Sequence, residues 1–421
     1  MTEHPRNCSQ EKDFDPLANK SKQVCLFIDQ AEYNNILFVS EDFRRCLDRE
    51  IEVHPELSPA LIQQGYKMHD ILPESEKLPG LRLRRIELYS GGIFTIRPSF
   101  VLPYMTGYTD EVEKPLFLRR WGVPYWALAY IFGRNEQYWY RLEKRIGRNS
   151  VVGTTVKDAH QLPKDLLADE KHTCFNGEKA YIAITVGDDC VLGASLTLDA
   201  DEKGLTEAYG HVKTEARNVA PDYEPETVNT DGWGATQLAW RALFTQIAII
   251  LCFLHSFIKI RDRCQRMKDL YAEIKTRVWE TYRAIDAAAF TQKIGELKAW
   301  ATERMPAGSG LEAILKLCHR VPEFVKAYEH PSAYRTSNML DRHMQPLDHY
   351  LDCCKYFHGH LMSGEYTCRA WALLHNFQPY CPRAKVAQTH QSPAHRLNDF
   401  VYHDNWLHNL LISASMGGYR Q

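Results

Sequence analysis

The sequence predicts an α/β protein, and three observations carry that expectation. Between residues 166 and 253, β-rich and helical patterns follow one another in the order β-β-β-α-β-α-β. Two carboxylates, Asp169 and Asp231, fall inside or at the end of strands in that run. From Met267 onward the apolar spacing changes to three and four residues, the mark of amphipathic helices. The 421 residues are 44% hydrophobic and 25% charged, which excludes wholesale disorder, and the length suggests two or three domains. The longest apolar run, Ile247–Leu254, falls far short of the roughly 20 residues a membrane span needs, so no membrane partner is expected. No apolar signal core follows the opening MTEHPRNCSQ, and twelve cysteines are too sparse for a disulfide scaffold. Reduced thiols in an intracellular protein, of cytoplasm or nucleoid, are therefore expected.

The net charge of −2 hides a segregation along the chain. Residues 1–80 and 151–250 are acidic, whereas 81–150 and 251–421 are basic. A basic block beside an acidic one suggests phosphate binding next to a metal-binding or structural acidic face. Residues 1–80 mix short apolar runs (Val24–Ile28, Ile36–Val39) with prolines, a small α+β region of unassigned role. Residues 81–150 continue through extended chain into three short helices. The first, Leu116–Trp121, is broken by Gly122-Val-Pro124; the second, Tyr125–Phe132, stops at Gly133; Asn135 caps the third, which runs to Ile146. Two short helices joined by a glycine turn fit a helix-turn-helix, with Arg134, Arg141, Lys144, Arg145 and Arg148 as DNA contacts. A helical bundle with a solvated basic face is the competing reading.

Residues 160–265 hold the first part of the sheet. Strands are predicted over Leu166–Phe175, Tyr181–Val186 and Val191–Leu198, the last two joined by the Gly187-Asp188-Asp189 turn. Helices over Gly204–Val219 and Trp233–Phe244 alternate with strands over Thr227–Thr230 and Ile247–Phe253. This order is that of a ribonuclease-H-like mixed sheet flanked by helices. Residues 266–334 read as an all-helical insertion, with a stripe from Met267 to Ile285 and another from Phe290 to Trp300. Residues 335–382 supply the last helices of the core, one opened by Ser337 or Asn338, and 383–421 form a polar C-terminal tail.

A carboxylate in a buried strand costs several kcal/mol unless it is paired, hydrogen-bonded or bound to a cation. Asp169 in Ala168-Asp169-Glu170 and Asp231 in Asn229-Thr-Asp-Gly-Trp233 would place two acids on neighbouring strands, offering the oxygen ligands that Mg²⁺ prefers. Two such ions about 3.5–4 Å apart can activate an attacking oxygen and stabilise a leaving one. Taken singly, Asp169 could be a strand residue paired with Lys171, and Asp231 a turn-forming Asp-Gly.

The string ADEKHT, followed some sixty residues later by NTDGWGAT and then CFLHSFIKIRDR, resembles the DDE transposases of bacterial and archaeal insertion sequences. More narrowly it is similar to the Mutator-like superfamily, marked by a Cys-x-x-His after the second acid and a helical insertion before the third. Cys252-Phe-Leu-His255 and residues 266–334 match those marks, and the resemblance spans roughly 115–380. The third acid of such families stands as Glu in an Asn-x-x-Glu-Arg helix. Here Asn338-Met-Leu-Asp341-Arg342 puts Asp341 at that position, one methylene shorter. Asn338 with Asp341 also reads as a helix capping box, and Glu312 is the competing carboxylate. The resemblance implies a DDE/DDD enzyme in which Asp169, Asp231 and Asp341 hold two Mg²⁺ ions (Mn²⁺ substituting), supported by Cys252, His255 and Asn338. It implies cleavage at element ends and strand transfer into target DNA, by a homo-oligomer bound to double-stranded DNA. The alternatives are a nuclease of the same fold without strand transfer, or an inactive domesticated transposase that only binds DNA. A zinc site built from Cys252, His255 and the His/Cys pool of 343–360 lacks a CxxC pair at structural spacing. The tryptophans at 233, 240, 279, 300 and 371 read as core rather than base-stacking residues, and Lys171 with His172 as phosphate contacts or solvated polar groups.

Overall fold

A computed structural model describes residues 21–419. The first region carries β1 (Gln23–Leu26), α1 (Gln30–Ile36), α2 (Ser40–Val53), β2 (Tyr66–Ile71), β3 (Arg84–Leu88) and β4 (Ile93–Pro98). Its four strands form one sheet in the order β1-β4-β3-β2, with β1 parallel to β4 and the other pairs antiparallel. The α+β expectation for this region is met. Tyr33, Phe43 and Leu47 from the two helices bury against Ile86 and Ile96 of the strands.

Four helices follow: α3 (Thr109–Arg120), α4 (Tyr125–Phe132), α5 (Glu136–Gly147) and α6 (Val151–Thr155). The breaks at Gly122–Pro124 and Gly133 and the Asn135 cap stand where the sequence placed them, and the Asn135 side chain accepts from the Tyr138 amide at 2.8 Å. The first helix begins seven residues earlier than expected and carries Pro115 inside it.

The central sheet contains β5 (Asp165–Phe175), β6 (Glu178–Gly187) and β7 (Cys190–Thr197) as an antiparallel meander. Helix α7 (Glu202–Val219) leads to β8 (Thr227–Thr230), and α8 (Gly234–Leu243) leads to β9 (Ala248–Leu251). The strand order is β7-β6-β5-β8-β9, with β5, β8 and β9 parallel. Alternation along β5 sends Leu166 and Ala168 to one face, where Tyr209, Val212 and Trp240 from α7 and α8 cover them. Leu167 and Phe175 go to the other face, covered by helices from the end of the chain. The result is a three-layer α/β structure, which agrees with the predicted α/β class.

Helices α9 (Phe253–Cys264), α10 (Asp269–Tyr282), α11 (Ala287–Arg304), α12 (Ser309–His319) and α13 (Val321–Val325) close around their own core, including Phe253, Ile274, Val278, Phe290, Ile294 and Leu297. The amphipathic stripes read from the sequence pack it, except at Ile285, which falls beyond the end of α10 and is exposed. The strand expected over Ile247–Phe253 is shorter: pairing ends at Leu251 and the chain turns into α9 at Phe253, so His255 stands in a helical first turn. Isoleucine runs mark a buried segment without fixing where its ladder stops.

Helix α14 (Asn338–Cys354) lies on the Leu167 face, and α15 (Leu361–Phe377) runs through the middle of the molecule, with every residue from Gly364 to Phe377 buried. Helices α16 (Pro393–Asn398) and α17 (Trp406–Ser413) complete the chain. The polar tail expected over 383–421 is therefore corrected at α17, all eight of whose residues are buried. Arg97 of β4 donates to the Leu411 carbonyl at 3.0 Å, and the Ser415 hydroxyl accepts from the Cys25 amide of β1 at 2.9 Å. Its polar flanks hid a short apolar segment that ties the N-terminal sheet to the rest. Among the described residues no helix is long and apolar enough to cross a membrane, and all eleven cysteines are free.

Candidate active site

Strand register brings the first two acids side by side. In the parallel pair, Leu167 stands opposite Asn229. Two residues further along each strand direction are Asp169, midway along β5 just past its pairing with β8, and Asp231, in the turn directly after β8, which the register puts on the same face. The Asp231 carboxylate also accepts from the Trp233 amide at 2.7 Å, which fixes it at the mouth of the following turn.

The third acid returns from more than a hundred residues away because the segment before α14 is sewn onto the strand ends. Buried Asn229 of β8 donates its amide to the Tyr334 carbonyl at 2.7 Å. The Phe253 amide donates to the Arg335 carbonyl at 3.0 Å. The Ser337 amide donates to the Cys252 sulfur at 3.3 Å, and the Ser337 hydroxyl donates to Asp341 Oδ2 at 3.1 Å. The capping box expected from Asn338 and Asp341 is replaced: Ser337 is the N-cap, Asn338 is the first helical residue and is exposed, and the serine hydroxyl is spent on the Asp341 carboxylate. A hydroxyl one residue earlier competes for the same role, and sequence spacing does not separate the two.

The electrostatics tie these groups into one site. Burial pushes the Asp169 carboxyl up to about 6, with His255 opposing the rise and Asp231 and Asp341 adding to it. His255 is pushed up to about 9 by pairing with the Cys252 thiol, against its own burial, with Asp169 and Asp231 also favouring its charged form. Burial alone would raise the Cys252 thiol, but His255 and Ser337 bring it below its ordinary value. Asp169, Asp231, Asp341, Cys252, His255 and Ser337 thus form one neighbourhood. Asn338 has no bond into it, and Glu312 is exposed on α12 within the helical insertion.

Two further groups carry no sequence signal that singles them out. Glu170 points to the opposite face of β5 and is buried there, accepting from the Tyr209 and Thr236 hydroxyls at 2.7 Å each, and burial pushes it up to about 7. Arg320, at the junction of α12 and α13, approaches the Asp231 turn over Gly232. A Cβ on that glycine, whose φ is +92°, would lie 2.9 Å from the Arg320 guanidinium and 2.7 Å from Leu251. Arg320 also forms a two-armed ion pair with Glu323 at 2.7 and 2.6 Å.

Among the described residues no set of three or more His, Cys, Asp or Glu side chains is drawn together closely enough to hold a metal ion as it stands. The donor chemistry nevertheless suits a hard cation: Asp169, raised chiefly by burial, also feels the charges of Asp231 and Asp341. Lys171 is engaged elsewhere, in an ion pair with Asp348 of α14. Cys353, His349, His358 and His360 sit beyond α14's first turns, away from Asp341, with Cys353 Sγ 3.8 Å from His349 Nε2.

The basic helix α5 is remote in sequence from the acids and is built differently from a free-standing recognition helix. Trp139, Leu142 and Ile146 bury against the core, and Lys144 donates to the Ser363 carbonyl at 2.6 Å and to Thr367 of α15. Arg141, Lys144, Arg145 and Arg148 line a cleft of about 410 Å³ walled by Tyr140 and Tyr366. Arg141 and Arg145 also line a second cleft of about 300 Å³ with Lys77, Arg134 and Tyr138, and no carboxylate lines either. Burial together with the Arg148 and Arg141 charges holds the Arg145 guanidinium below its ordinary value. Arg134 is paired with Glu111 at 3.1 Å.

No protein-family model matches the chain, and no curated protein matches it significantly. The site is therefore read from its own geometry.

Proposed function

We propose that the protein is a DNA transposase that cleaves at element ends and transfers the freed strand into target DNA. The observation that carries this reading is the joint placement of Asp169, Asp231 and Asp341: one within β5, one directly after the adjacent parallel β8, the third tied to Cys252 through Ser337. A sheet in the order β7-β6-β5-β8-β9, an antiparallel meander of three strands with two more running parallel to β5, supports a ribonuclease-H-like core, interrupted by the helices of 253–325 before the third acid.

Asp169, Asp231 and Asp341 would hold two Mg²⁺ ions, or Mn²⁺ in their place. When bound, these supply Lewis acidity toward the phosphodiester and charge to offset the leaving oxygen. The charges of Asp231 and Asp341 add to the cost of ionising buried Asp169, which a bound cation would offset. Imidazolium at His255 offsets part of that charge while the acids wait, and Ser337 holds the Asp341 carboxylate toward the strand ends. Water attacks the phosphodiester first, and the resulting 3′-hydroxyl attacks target DNA by the same in-line displacement. Arg141, Lys144, Arg145 and Arg148, which share a cleft without carboxylates, would contact phosphates of double-stranded DNA; contacts of that kind position a duplex without reading it. The helix-turn-helix reading of α4 and α5, a homo-oligomer on paired ends, and an intracellular location belong to the same proposal.

A nuclease without strand transfer shares every element of this site. The exposure of Asp341 and its shorter arm favour a third reading, a relic that binds DNA without cutting it. One experiment separates the three. Supercoiled plasmid carrying candidate ends is incubated with Mg²⁺ or Mn²⁺ and the wild type, D169N, D231N or D341N. Cleavage plus joined products, lost in each variant while DNA binding persists, is the result expected. Cleavage without joining leaves the nuclease. Binding without cleavage in the wild type leaves the relic.

A further inference from the structure

We infer that the outer face of α4 is the contact through which two copies of this chain associate, an inference independent of the chemistry of the acids. From Trp121 to Gly133 the chain reads WGVPYWALAYIFG, thirteen residues without a charge. Helix α4 spends one side of that segment on the molecule's own core. Leu128 is buried, and Tyr125, Ala129 and Phe132 pack partly buried against the same cluster. The other side is equally apolar: Trp126, Ala127, Tyr130 and Ile131 make a stripe at helical spacing. A helix that is apolar all round belongs in an interior. Trp126, Tyr130 and Ile131 nonetheless keep 62%, 87% and 61% of their surface exposed, and Trp121 just before the helix keeps 42%.

The area fits a second copy. At roughly 200 Å² for each large side chain, those fractions leave about 500 Å² uncovered. A stable two-fold interface buries about 800 Å² per partner, about 65% of it apolar, which is close to the same apolar area. The charge fits as well. A two-fold axis sets each patch against itself, so a charge near its centre would meet its like, and this stripe carries none. Other occupants need what the stripe lacks. DNA and an anionic membrane surface are held by basic side chains, and residues 121–133 have none. Residues 1–20 offer three large apolar side chains, Met1, Phe14 and Leu17, among seven charged ones. Two such helices crossing antiparallel about the axis set the Trp126 end of one stripe against the Ile131 end of the other, with Ala127 leaving room for a ring. No residue of α4 lines the arginine clefts of α5, so the two surfaces are separate.

The test is sedimentation velocity on the full chain without DNA, at concentrations up to about 50 µM. The proposal expects a concentration-dependent dimer in the wild type that persists in high salt, because its centre is uncharged. W126E and Y130E should each weaken association about thirtyfold or more, the loss expected of an aromatic anchor at the centre of an interface. Both side chains are exposed, so the fold survives the change, and melting curves matching the wild type establish that it does. I285E, the same kind of change at an exposed isoleucine of the helical insertion, should leave association unchanged. A dimer retained by both W126E and Y130E overturns the inference, even if the wild type cleaves DNA. A wild type that stays monomeric throughout overturns it too, and its sedimentation with phosphatidylserine vesicles would then give the face to a membrane.

Discussion

The Ser337 amide meets the Cys252 sulfur at 3.3 Å, and through that contact the Cys-x-x-His segment at the end of β9 is joined to the helix that carries Asp341. The serine closes the path by donating its hydroxyl to the Asp341 carboxylate at 3.1 Å. Cys252 and Ser337 are both buried, so their contact is made inside the protein, and only the Asp341 end of the path reaches solvent.

Removing that hydroxyl isolates the orienting role of the joint. S337A should slow metal-dependent cleavage about three- to tenfold while changing stability by no more than about 1 kcal/mol, the worth of one hydrogen bond. Single-turnover cleavage beside a thermal melt reads both. A full wild-type rate would mean that Asp341 needs no support from Ser337.

Asp169 makes the fold sensitive to pH in the absence of metal. Its carboxyl is raised from the ordinary value to about 6, so the neutral form is favoured in the folded protein. The stability it contributes is complete below about pH 4 and is lost as pH rises through about 6. D169N should then stabilise the metal-free protein at pH 7 by up to about 3 kcal/mol, with no gain at pH 4. Differential melting of the two proteins at both pH values checks this. Equal melting at pH 7 would show that the acid is not held in a costly environment.

The arginines of α5 should govern the salt dependence of DNA binding. Replacing Arg141, Arg145 and Arg148 together by Gln should lower the slope of log affinity against log salt by about 3, since each phosphate contact contributes about 0.9. Binding isotherms on a random duplex between low and moderate salt suffice. An unchanged slope would place the DNA elsewhere on the surface.

Gly147 sets how closely α5 approaches α15, because a Cβ there would strike the Tyr366 backbone carbonyl. G147A should destabilise the protein by about 1–3 kcal/mol through overpacking and should weaken DNA binding by shifting the arginine cleft. Denaturant unfolding followed by a DNA titration tests both. A variant with wild-type stability would mean that the two helices separate at little cost.

The sheet was legible because a period of two, broken by Gly and Asp turns, leaves a strong local trace in 166–198. The helical insertion was legible for the matching reason at a period near 3.6. Asp169 and Asp231 could be singled out as carboxylates in or beside apolar strands, where only chemistry or pairing explains them. The joint at Ser337 and the approach of Arg320 over Gly232 carried no such trace. Each depends on chain segments brought together by loops whose course has no periodicity.

What the sequence determined by itself was the set of local elements, their order, and the two strand acids, since each follows from neighbours within a few residues. Tertiary structure decided the rest. It chose Ser337 over Asn338 as the cap, because only Ser337 lies against Cys252. It also drew α17 out of the expected tail into the core, because eight residues flanked by polar chain gain free energy only where another surface covers them. Contacts of this kind are fixed by which faces meet, and the meeting of faces is a property of the whole fold.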